Sequence, residues 1–64
     1  MKAWFLERQG KRVTVETLLP LEKGGTYTGV VAVVSDDAVI LQMANLSRLI
    51  AFTAIESATE MQGF

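Results

Sequence analysis

Apolar and polar residues alternate from Arg12 to Leu18, with Val13 and Val15 on one side and Thr14 and Glu16 on the other. A period of two marks a strand with one face buried. A longer apolar stretch, Thr26 to Leu41, reads TYTGVVAVVSDDAVIL. Tyr27 is aromatic and Val30, Val31, Val33, Val34, Val39 and Ile40 are β-branched, a composition suited to a pleated surface. The stretch predicts a long bent strand, a tight turn at Ser35-Asp36-Asp37 and a second apolar strand. Short polar side chains favour such turns because they bond back to their own backbone. Gly29, inside the first of these strands, predicts a bulge, a sharp bend or a close backbone approach. After Gln42-Met43 and a brief connection through Ala44, Asn45, Leu46 and Ser47, Arg48 to Thr53 reads as a short apolar strand. Ala54 to Met61 holds the last one. Five short strands with tight turns predict an all-β domain: a small, strongly bent, five-stranded antiparallel barrel.

The two ends of the chain are less defined by pattern. Met1 to Gly10 fits a helix with Gly10 as a C-terminal cap, or a strand turning at Gln9-Gly10 into the next; the helix is slightly preferred. Either way Trp4 reads as a packing anchor. Leu19 to Gly25, LPLEKGG, reads as a loop that ends the preceding strand, because Pro20 cannot donate to a ladder. Lys23 beside two glycines lacks the spacing of a phosphate-binding loop, and a turn accounts for every residue there. The tail Gln62-Gly63-Phe64 is expected to be loosely held.

Composition adds an inference about assembly. The chain has 64 residues, half of them hydrophobic, with no cysteine and no histidine. One domain near the lower size limit for independent folding is expected, with no disulfide or thiolate metal site. The longest aliphatic run, Val30 to Val34, is far too short to span a bilayer. The N-terminal segment lacks the apolar core of a signal peptide, so a cytoplasmic setting and no membrane partner are expected. A small sheet has few inward positions, and the aliphatic residues exceed them. Self-association into a homo-oligomer would cover the surplus. Six basic and seven acidic residues give a net charge of −1, which argues against a broad cationic surface for nucleic acid.

Catalytic chemistry is not indicated, and no cofactor is expected. Asp36 and Asp37 are neighbours in a turn without a second acidic cluster at ligand spacing, so no metal site is expected. Serine and threonine have no histidine to activate them. The lysines are scattered, and no enzyme activity is predicted. Binding is more open. Arg48, with Asn45 and Ser47 nearby, suits a phosphate, a ribose or a base edge, and Phe52 suits stacking on a base. The plainer readings are a solvated arginine and a core or interface phenylalanine.

Several segments together resemble the Sm-like (LSm/Hfq) family: Gly29-Val30-Val31, Asp36-Asp37-Ala38-Val39-Ile40-Leu41, and Leu49-Ile50-Ala51-Phe52-Thr53-Ala54-Ile55. The resemblance runs from about Val13 to Ala58, the barrel core of a single domain. It implies an SH3-like barrel whose fourth strand joins a neighbour's fifth, building a ring of roughly five to eight subunits. Leu49, Ile50, Phe52, Ile55 and Ala58 would then lie at the interface between subunits. It also implies single-stranded RNA at pockets shared between subunits. Asp36, Asp37, Phe52 and Thr53 would be drawn from the two relevant turns, and Arg48 would meet a phosphate. The chain departs from the family where RNA is contacted. Ala38-Val39 stands in place of the usual asparagine, and Phe52-Thr53 in place of the Arg-Gly or Lys-His pair. An oligomeric assembly module binding proteins without nucleic acid is the alternative; a peptide-binding SH3-like barrel is a weaker third.

Overall fold

The computed structural model describes residues 1–18 and 25–61. The phosphate-loop question at Lys23 and the expectation for the tail at 62–64 fall outside them. The chain runs α1 (Lys2–Leu6), β1 (Arg12–Thr17), β2 (Thr26–Val34), β3 (Ala38–Gln42), β4 (Ser47–Ala51), a 3-10 turn (Phe52–Ala54) and β5 (Ile55–Glu60). Five antiparallel strands form one sheet in the order β4-β3-β2-β1-β5.

The N-terminal segment is the helix rather than the strand. A five-residue helix without a side-chain cap cannot hold itself together. Phe5 anchors it, with its ring fully buried in the core. Gly10 adopts φ 85°, beyond the helix end, where a residue without Cβ reverses the chain into β1. There the Gly10 N–H donates to the Val31 carbonyl at 2.9 Å.

Alternation in β1 extends one step further than Val13 and Val15: Thr17 is buried too, and Leu18 beyond it is exposed. The buried hydroxyl is satisfied, since Thr17 Oγ1 donates to the Gly25 carbonyl at 3.2 Å. In β2 the register against β3 shifts between Val31 and Val33, so the bulge falls at Ala32 and not at Gly29. Gly29 marks a close backbone approach instead. A Cβ there would lie 2.8 Å from the Gln42 carbonyl oxygen.

The strand expected over Arg48 to Thr53 begins at Ser47 and ends at Ala51. Phe52–Ala54 tightens into a 3-10 turn because the chain must leave one end of the sheet and reach the other to start β5. Among the described residues no ladder joins β4 to β5, and each keeps one open edge. Phe5, Val13, Val15, Tyr27, Val31, Val39, Leu41, Ile50 and Ile55 form one core cluster on the inner face of the sheet.

Candidate binding site at the two turns

The acidic turn is held by its own serine. Ser35 N–H donates to the Ala38 carbonyl at 2.9 Å, and Ala38 N–H donates back to Ser35 Oγ at 3.1 Å. The carboxylates of Asp36 and Asp37 are left pointing to solvent. One bond then joins this turn to the next: Phe52 N–H donates to the Asp37 carbonyl at 2.9 Å, one step past the Ala38–Ala51 pair. Asp36, Asp37, Phe52 and Thr53 therefore meet at one end of the sheet.

Their environments differ. Thr53 is exposed. Phe52 is half-buried and stacks on Phe5, with ring centroids 5.7 Å apart and an interplanar angle of 15°. One face of its ring is thereby occupied within the protein. The Lys2 ammonium donates to the Asp36 carboxylate. That hydrogen bond, and then the lysine's charge, hold the Asp36 carboxyl below the usual aspartate value. Among the described residues no cluster of histidine, cysteine, aspartate and glutamate could hold a metal.

Arg48 is not gathered into this group. It sits half-buried on the inner face of β4, with its guanidinium 5.4 Å from the Tyr27 ring centroid. Three residues stand between it and Phe52, four steps or about 13 Å along an extended chain. The interface candidates also divide by strand alternation. Ile50 and Ile55 are buried in the protein's own core and are not available to a neighbour as the sheet stands. Leu49, on the opposite face, is 64% exposed. Ala58 is half-buried on the inner side of β5 and lines a hollow of about 300 Å³ with Met1 and Trp4.

Lys2, Phe5 and that hollow were not legible as site features. Each depends on α1 folding over residues more than thirty positions away, as Lys2 does on Asp36. Arg8 fastens the same segment to β5. Its guanidinium lies 4.1 Å from the Trp4 ring centroid and Nε donates to Glu60 at 3.1 Å. A larger groove of about 450 Å³ lies away from the turns, between Arg12, Gly29 and Met43. The Gln42 amide on its wall is engaged by Ser47 and the Met43 carbonyl. Comparison with known protein families, curated proteins and solved structures finds no match.

Proposed function

We propose that the protein is a homo-oligomeric, Sm-like single-stranded RNA-binding protein whose sheet curls into a small barrel and whose copies join edge to edge in a ring. The observation that carries this reading is the strand order. A short helix followed by β4-β3-β2-β1-β5 leaves β4 and β5 as the two free edges, at opposite ends of one sheet. The turn-to-turn bond between Phe52 and Asp37 supports the site, since it holds the two turns side by side. In this reading the free face of Phe52 stacks a base and Thr53 or Asp37 bonds its edge. The phosphate contact of Arg48 falls further along β4. Repetition around the ring strengthens one weak site through avidity.

The test is the native mass across a dilution series, followed by titration of uridine-rich and adenine-rich oligonucleotides at two salt concentrations. A persistent oligomer whose RNA affinity falls steeply with salt is expected. Phe52→Ala should keep the native mass and weaken RNA binding by at least several-fold, given about 1–3 kcal/mol per stacked base. A stable monomer would overturn the reading.

One observation favours a second reading, an assembly module that binds proteins and no nucleic acid. At the joined turns two carboxylates are exposed, and the lysine among them is already held by Asp36. Such a surface repels phosphate. An assembled protein without RNA affinity at low salt would decide for it.

A further inference from the structure

The two carboxylates at the joined turns are chemically unequal. Asp36 accepts a hydrogen bond from the Lys2 ammonium, which offsets its charge. Asp37 is engaged through its backbone: its carbonyl accepts the Phe52 N–H at 2.9 Å, and its carboxylate has no partner among the described residues. That backbone bond carries the β3–β4 ladder one step beyond Ala38–Ala51, so Asp37 and Phe52 stand directly opposite each other. Bonded partners in an antiparallel ladder lie about 5.5 Å apart at Cα and send their side chains to the same face. Phe52 is half-buried, and Phe5 covers one side of its ring. A flat group laid on the other side brings its edge toward a free carboxylate.

An ionised carboxylate can only accept hydrogen bonds, and its two oxygens accept them side by side. The edges of the four bases differ in what they offer it. Guanine carries N1–H and N2–H next to each other, two donors in a row. Uracil has a single N3–H between two carbonyl oxygens. Adenine sets its N6 amino group beside the N1 lone pair, and cytosine sets its N4 amino group beside N3. With those three, one carboxylate oxygen gains a bond while the other faces an acceptor. Resting on the RNA-binding reading above, we infer that the site selects guanine, with the base stacked on Phe52 and its N1–H and N2–H donating to the Asp37 carboxylate. Thr53, exposed beside Phe52, carries a hydroxyl able to donate to the guanine O6. The Lys2 bond occupies Asp36, so one carboxylate and not two reads the base. A neutral base edge is also what an acidic turn can hold, where a phosphate would be repelled.

Guanosine and inosine differ by the N2 amino group alone, so the nucleic acid can be varied while the protein stays intact. Short oligonucleotides alternating guanosine with uridine should bind about tenfold more tightly than those with adenosine, cytidine or uridine in place of guanosine, the scale of one bidentate base contact. Inosine at the same positions should give up several-fold of that advantage. Asp37→Asn offers one donor and one acceptor in place of two acceptors. It should abolish the guanosine preference while uridine oligonucleotides bind no worse and the circular dichroism is unchanged. Should the variant not fold, the inosine comparison decides alone. Equal binding of guanosine and inosine oligonucleotides, or a guanosine preference that survives Asp37→Asn, would overturn the inference. A folded Asp37→Asn protein that loses affinity for every oligonucleotide alike would overturn it too, since Asp37 would then be a structural residue. RNA binding that favours uridine or adenosine would overturn guanine selection and leave the RNA-binding reading standing. An assembled protein that binds none of the oligonucleotides at low salt would remove both.

Discussion

Gly29 has no room for a side chain, because β2 and the end of β3 close on it. A Cβ would meet the Gln42 carbonyl oxygen at 2.8 Å and Met43 Cγ at 3.1 Å. The Met43 side chain can move, but the Gln42 backbone belongs to the ladder and cannot. Gly29→Ala is expected to destabilise the fold by about 1–3 kcal/mol, as overpacking does, read from urea denaturation. This glycine stood out in the sequence because it interrupts a β-branched run. Asp36 did not stand out as a partner for Lys2, since no local spacing connects them. Its carboxyl titrates below its unfolded value because of Lys2. The pair's contribution is therefore in place above the ordinary aspartate range and is lost as the pH falls through the folded value. Asp36→Asn should lower the denaturation midpoint slightly at neutral pH and low salt, and leave it unchanged in acid or at high salt. Equal midpoints for both proteins at neutral pH would show that the pair adds nothing.

Among the elements, α1 depends most on its surroundings. Its ring contacts run from Trp4, edge-on to Phe5 at 5.0 Å, through Phe5 to Phe52. Phe5→Ala should cost about 3–5 kcal/mol. Because Phe5 also backs the ring of Phe52, the same change should loosen the turn after β4, visible as faster amide exchange at Phe52. Unchanged exchange there would separate the helix from the turn. The strands were legible because period two and β-branching survive in a short chain, as Val13, Val15 and Thr17 show. The 3-10 turn was not: Phe52-Thr53-Ala54 continues the apolar pattern of β4, and only the need to cross the sheet ends the strand at Ala51. Nor could the pattern tell that Ile50 serves the core while Leu49 does not, since β4 is apolar on both faces.

For the molecule as a whole, an all-β chain of five strands could be read from the sequence, but the order of those strands could not. Pairing β1 with β5 joins residues from 38 to 47 positions apart, Thr17 with Ile55 to Val13 with Glu60, and passes through a bulge between Glu16 and Thr17. The meeting of the two candidate turns was anticipated only through a family resemblance. The Phe52–Asp37 bond gives it a physical basis. If RNA binding draws on several copies at once, affinity for a long oligonucleotide should collapse when the protein is diluted below its assembly range. Affinity for a short one that meets a single site should fall much less. Equal behaviour of both lengths would argue for a site complete within one chain.

Only Phe52–Ala54 carries the chain from the end of β4 to the start of β5, too short a span to cross a flat five-stranded sheet, so the sheet bends enough to bring its two outer strands near each other. Two bare strand edges on a small apolar protein would ordinarily invite fibril growth. Here the bend leaves the two edges out of one plane, so each copy added at an edge is rotated against the last, and growth curves toward closure instead of extending flat.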